Sequence, residues 1–226
     1  MKAIFINGSP RKKWNTEQLL ESTMKGAKEA GAEVEMIHLN DVAARGCTSC
    51  FACKRLNSKT NGLCAMRDDL TPMLRKGLEA DIIVVGSPVY FDYCTPMTKA
   101  FLERLMFPLS AYKYDKRTGE AGASLCERFI PTAIIYTMNM PEEWFHQSHY
   151  PATLGANERY LRKTYGYSEM LCSFDTLQFD DYSRYDIETF KEEDKRRHRD
   201  EQFPKDLQKA YEMGQLLVRL AKEGHA

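Results

Sequence analysis

Three clusters of residues in this chain are of types that do chemistry. The first is a loop holding Gly8, Ser9, Arg11, Asn15 and Thr16, between an apolar strand (Ala3 to Ile6) and an amphipathic helix pattern. A helix N-terminus offers unpaired backbone N–H groups. Hydroxyls and a guanidinium beside it converge on one point that suits a doubly charged phosphate. The second cluster is Gly86-Ser87-Pro88-Val89-Tyr90-Phe91, after a run of Ile and Val. It can lay backbone N–H groups and aromatic surface along a flat ring. The third is Cys47, Cys50, Cys53 and Cys64, a C-x2-C-x2-C run with a fourth cysteine downstream. Four thiolates are the ligand set of a [4Fe–4S] cluster. Zinc or free, redox-active thiols are the other uses of such a set.

The first loop is not a P-loop, because no second glycine and no Gly-Lys pair follow Gly8. The G-x-G-x-x-G dinucleotide fingerprint is also absent from the chain. A cradle for a single phosphate remains, better matched to a mononucleotide such as FMN. The plain alternative is a surface loop ending in an ordinary Ser, Asn or Thr helix cap. For Tyr90 and Phe91 the plain alternative is core packing.

The elements that must position these clusters alternate. Strands are expected at Ala3–Ile6, Val34–Leu39, Asp81–Gly86, Ile130–Met138 and Tyr167–Leu177. Helices are expected at Thr16–Ala30, from Asp68 or Asp69 to Glu79, at Pro96–Met106, at about 149–164 and from Pro204 to about 222. This order gives an α/β, flavodoxin-like three-layer sandwich: a five-stranded parallel sheet, order 2-1-3-4-5, with helices on both faces. Ligands in such sheets lie beyond the carboxyl ends of the strands, where the first two clusters fall. Met138-Asn139-Met140, after the fourth strand, is a candidate third wall. A single domain is expected over residues 1–226. It carries the cysteine-rich loop at 46–64, an insert at 107–129 and a charged C-terminal segment with a helix at 184–222. Lys191 to Gln202 mixes both signs of charge and reads as a solvated helix face or linker.

Composition narrows the class. Hydrophobic residues form 43% of the 226, and Lys+Arg and Asp+Glu are both 32. Zero net charge argues against a nucleic-acid binder and against a small acidic electron carrier. No apolar run reaches a membrane span, and the N-terminus opens in a strand with no signal-peptide pattern. A cytoplasmic protein is expected. Seven cysteines, an odd count, do not suggest a disulfide framework. Cys94, Cys126 and Cys172 read as isolated and buried. The five histidines lack recognisable partners, so no side chain stands out as an acid–base catalyst.

Gly-Ser-Pro-Arg-x-x-x-Asn-Thr at 8–16, Gly-Ser-Pro-Val-Tyr-Phe at 86–91 and Thr-Pro-Met-Thr-Lys-Ala-Phe-Leu-Glu-Arg at 95–104 occur in that order. Together they resemble the flavodoxin-like NAD(P)H-dependent FMN reductases. With the four cysteines ahead of Asp68-Asp69, the chain is most similar to the iron–sulfur flavoprotein branch. The resemblance covers about residues 1 to 140. One departure stands out: ten residues separate Cys53 from Cys64, a longer gap than that branch's usual pattern. The resemblance implies FMN as cofactor, with Ser9, Arg11, Asn15 and Thr16 at the phosphate and Pro88, Val89, Tyr90 and Phe91 at the ring. It implies Cys47, Cys50, Cys53 and Cys64 as ligands of any [4Fe–4S] cluster. NAD(P)H would be co-substrate, a quinone, flavin or protein the acceptor, and a homodimer or homotetramer the assembly. Rival expectations are a non-enzymatic electron carrier and a flavin-free metal- or thiol-sensing module.

Overall fold

The computed structural model describes residues 1–114, 119 and 121–224. Its centre is a parallel sheet of β2 (Glu33–His38), β1 (Lys2–Asn7), β3 (Ile82–Tyr90), β5 (Ile130–Thr137) and β6 (Gly166–Ser173), in that order. Counting parallel strands alone, this is the expected 2-1-3-4-5 order. Central strands are apolar without alternation because both faces are buried. Ala3, Phe5, Ile82, Val84, Ala133 and Ile135 face one core, with Leu19, Leu20, Leu217 and Val218. Their neighbours Ile4, Ile6, Ile83, Val85 and Ile134 face the other, with Leu74, Phe101, Leu105, Leu154 and Leu161. Helices α1 (Asn15–Glu29) and α7 (Phe203–Gly224) therefore cover one face, and α2 (Thr71–Glu79), α3 (Pro96–Met106) and α5 (Tyr150–Tyr165) the other.

Several elements differ from expectation. β3 continues through Tyr90 and turns back as β4 (Tyr93–Cys94), pairing antiparallel. The two turn residues, Phe91 and Asp92, have φ of 46° and 66°. This is the two-residue hairpin geometry that suits strand twist, built without Gly or Asn. A loop over Ser87–Thr95 was expected there. A short α4 (Glu142–Gln147) precedes α5, and β6 ends at Ser173 rather than Leu177.

The charged stretch folds as α6 (Glu192–Glu201) and is not merely solvated. Glu192, Glu193 and Asp194 in the first turn and His198 and Arg199 in the last complement the helix dipole, while Asp200 and Glu201 at the C-terminal end oppose it. Lys195 is 1% exposed. The insert at 107–129 is held by bridges Ser110–Ser124 and Tyr114–Ala121. Residues 115–118 and 120 of the insert, and His225, lie outside the described residues. Among those described, no helix is long and apolar enough to cross a membrane.

Candidate functional site

Register aligns the carboxyl ends of the strands. Asn7 pairs with Gly86, Pro88 with Thr137, and Thr137 with Ser173. The loop leaving β1 is fixed by its own side chains. Asn7 Oδ1 accepts from Ser9 N (2.9 Å), and Ser9 Oγ accepts from Arg11 N (3.1 Å). Gly8 N donates to Gly86 O at 2.9 Å, and Thr95 Oγ1 donates to Gly8 O at 2.8 Å. Beneath the loop, Asn7 Nδ2 donates to the buried Glu17 carboxylate at 3.0 Å. His38 Nδ1 lies 3.3 Å from the same amide nitrogen, so this histidine does have partners.

Trp14 caps α1 by position only, since no side chain accepts from the first turn. The first-turn N–H groups of a helix have no intrahelical acceptor, and here they face a cavity. That cavity has a volume of about 180 Å³. Its walls come from Ser9, Arg11, Trp14, Asn15 and Thr16, from Pro88, Val89 and Tyr90, from Thr137 to Asn139, and from Thr176 to Gln178. Thr16 and Thr137, both buried, share a 2.7 Å hydroxyl contact across it. The Arg11 guanidinium lies 4.0 Å over the Trp14 ring, and its Nη1 donates to Gln178 O at 2.6 Å. Seven of the eight expected cofactor residues thus line one cavity. Phe91 stands at the hairpin tip, fully exposed, and does not line it.

Two features of this cavity bear on what it holds. Trp14 Nε1 and Asn139 Oδ1 are buried without a hydrogen-bond partner, and both residues are in its walls. A buried polar atom left unpaired costs roughly 1–3 kcal/mol, a cost that a polar group reaching either atom relieves. The volume is also below the about 300–1,000 Å³ of whole small-molecule pockets. It fits a phosphorylated polyol head, with a flat ring left to the more open Pro88–Tyr90 edge. FMN meets both requirements.

Sequence reasoning missed Trp14 and Thr137. It also missed the contribution of α6. Arg199 Nη1 donates to Asn15 Oδ1 at 2.9 Å, and Lys195 Nζ donates to Asn139 O at 2.5 Å and pairs with Asp175. Burial pushes the Lys195 ammonium below the usual lysine range, with Asp175 opposing.

The four clustered cysteines lie along one loop on the α3 side. Cys47 N donates to Glu103 Oε2 at 3.2 Å, and Lys54 Nζ donates to Phe107 O and Ser110 O. Cys50 is exposed and Cys64 is buried. Burial first, and then the neighbouring Cys64 and Cys50 charges, push the Cys53 thiol up, partly offset by Lys54. Among the described residues, no group of three or more His, Cys, Asp or Glu side chains is arranged to hold a metal ion. The donor chemistry suits iron and sulfide. A cavity of about 540 Å³ opens beside the loop, with Phe51, Phe107, Tyr112 and Tyr160 among its walls, remote from the strand ends. Cys94 is buried, and burial pushes its thiol up to about 11; Cys172 is half-buried and pushed up to about 12. Cys126 is likewise half-buried rather than buried.

Residues 1–125, just over half of the chain, match the family described as NADPH-dependent FMN reductase. The chain belongs to this family. It is 41% identical over 104 residues to an iron–sulfur flavoprotein of Archaeoglobus fulgidus, covering 46% of this chain and 48% of that protein. It is 38% identical over 104 residues to one of Methanocaldococcus jannaschii, covering 46% and 51%. The relatives it matches within this family are named iron–sulfur flavoproteins. It spans about half the length of the curated relatives it matches. The fold extends further than the sequence match. An NAD(P)H:quinone oxidoreductase from Methanothermobacter marburgensis superposes with a TM-score of 0.65 at 16% identity, over 95% of this chain and 98% of that one.

Proposed function

We propose that this FMN reductase family member is an FMN-dependent oxidoreductase that takes electrons from NAD(P)H and passes them to a quinone, flavin or protein acceptor. The observation that carries the reading is the strand-end cavity, with its uncapped helix N-terminus and two unpaired buried polar atoms. Bound there, FMN would supply hydride and single-electron chemistry that no side chain of the site offers. The chain's own part is to bind and orient. The N–H groups of α1, Ser9, Thr16 and Arg11 would hold the phosphate. Asn15 would act one step back, since its amide is already taken by Leu177 O and Arg199. Pro88, Val89 and Tyr90 would flank the ring, and the exposed Phe91 would meet a ligand or partner only from outside the cavity.

Titration of the protein with FMN, read by quenching of flavin fluorescence, tests the cradle. Arg11→Ala and Thr16→Ala should each lose about 1–3 kcal/mol of FMN binding; unchanged affinity in both removes the reading. Steady-state NADPH or NADH oxidation with a quinone or dye then separates enzyme from carrier, since a carrier shows no turnover with either nucleotide.

The name of its relatives and its own C-x2-C-x2-C…C set support a further element, a [4Fe–4S] cluster on Cys47, Cys50, Cys53 and Cys64. No electron step is assigned to these thiols. Iron and labile-sulfide analysis of anaerobically prepared protein decides the matter. Loss of both in Cys50→Ser, with FMN retained, places a cluster on this loop; equal iron in variant and parent removes it. The same preparations, run by light scattering, read the dimer or tetramer that the reading expects.

A further inference from the structure

Helix α6 lies outside the family-matched residues 1–125, yet one of its side chains reaches the phosphate loop. Arg199 Nη1 donates to Asn15 Oδ1 (2.9 Å) and Nη2 to Gln18 Oε1 (2.5 Å). A guanidinium only donates, so both amides must turn their oxygens toward it and their NH2 groups away. Each NH2 then meets a backbone carbonyl. Asn15 Nδ2 donates to Leu177 O at 2.8 Å, in the loop after β6. Gln18 Nε2 donates to Lys13 O at 3.0 Å. Lys13 is in the phosphate loop with φ of 59°, a conformation a non-glycine side chain adopts at some cost. One guanidinium thereby orients two amides, one fixing Lys13 in the phosphate loop and the other the Leu177 wall of the cavity.

Its charge is also available. Arg196 and Arg197 are paired with Glu192 and Asp194, and Lys195 with Asp175. Arg199 instead donates to two neutral amides and stacks 4.1 Å over Phe203. The acid that acts on its charge is its exposed neighbour Asp200. A half-buried cation held behind a phosphate cradle raises the positive potential there.

We propose that Arg199 is a positioning residue for the flavin phosphate, locking Lys13 of the phosphate loop through Gln18 and the Leu177 wall through Asn15, and lending its charge to the pocket. The proposal rests on the FMN reading above. It makes the C-terminal helix pair part of the cofactor site.

The experiment compares FMN with riboflavin, which lacks the phosphate, as fluorescence titrations of the full chain. Arg199→Met keeps the stem over Phe203 and removes the charge and the fork. It should weaken FMN by about tenfold or more and riboflavin by less than about threefold. Arg199→Lys, which restores charge without the bidentate fork, should recover part of the FMN affinity. Should Arg199→Met fail to fold, Gln18→Met carries the same comparison, cutting the link to Lys13 with α6 left intact; an FMN-selective loss of about threefold is expected. An equal loss for both flavins makes α6 a mere wall and overturns the proposal, as does unchanged FMN affinity. A parent protein that binds neither flavin instead overturns the FMN reading itself.

Discussion

Replacing Arg104 by methionine is expected to cost about 3–5 kcal/mol of folding stability, the range for breaking one side of a buried ion pair. Arg104 is 1% exposed on α3. Its Nη1 and Nη2 fork the Asp68 carboxylate at 2.5 and 2.9 Å, and Nη1 also donates to Arg45 O at 3.0 Å. These contacts tie α3 to both ends of the cysteine-rich stretch. The variant leaves Asp68 partly buried without its cation and frees the chain around Arg45.

A pH signature accompanies that loss. The Arg104 hydrogen bonds hold the Asp68 carboxyl below the usual carboxylate range, against the opposing effect of burial. A folded-state pKa below the unfolded value gives stability that is fully present above about pH 4 and lost as pH falls through the lowered folded value. Urea midpoints measured from pH 7 down to 3 should therefore fall steeply for the parent and more gently for Arg104→Met. Parallel slopes would show that the pair does not titrate as the geometry requires.

The strands and the phosphate loop were legible because their signals are local. Ile4, Ile6, Ile83 and Val85 are apolar runs that only a doubly covered strand explains. Ser9 to Thr16 carry their chemistry at adjacent positions. The hairpin after β3 was not legible, because Phe91 and Asp92 adopt positive φ without the Gly or Asn that announces such a turn. The role of α6 was hidden for a different reason. Nothing in Lys-Glu-Glu-Asp-Lys-Arg-Arg-His-Arg distinguishes Lys195 and Arg199 from their solvated neighbours. What buries Lys195 is Asp175 and Asn139, and what engages Arg199 is Asn15, 184 residues away in sequence. Cysteine spacing fixed which thiols share a loop, but the gathering of thiols depends on backbone that spacing does not describe. The positive φ of Ser49, Phe51, Asn57, Asn61 and Gly62 sets that backbone.

Gly214→Val should destabilise the fold by about 3 kcal/mol or more, at or above the top of the usual overpacking range. A Cβ at Gly214 on α7 would fall 2.0 Å from Thr23 O and 2.8 Å from Ala27 N on α1. Gly26 on α1 makes the reciprocal approach, its Cβ position 2.0 Å from Tyr211 O. The obstacles are backbone atoms, so no rotamer change relieves them, and the helices must part. Parting costs the packing of Leu217, Val218 and Ala221 on the sheet. It also moves Phe203 and the adjoining α6 away from α1, whose first residues line the cavity. FMN affinity should fall together with the urea midpoint in Gly214→Val. In Arg104→Met, whose damage lies on the opposite face of the sheet, FMN affinity should hold while the midpoint drops. If both variants lose FMN in proportion to stability alone, the α1–α7 contact has no special hold on the site, and the cavity reports only whether the chain is folded.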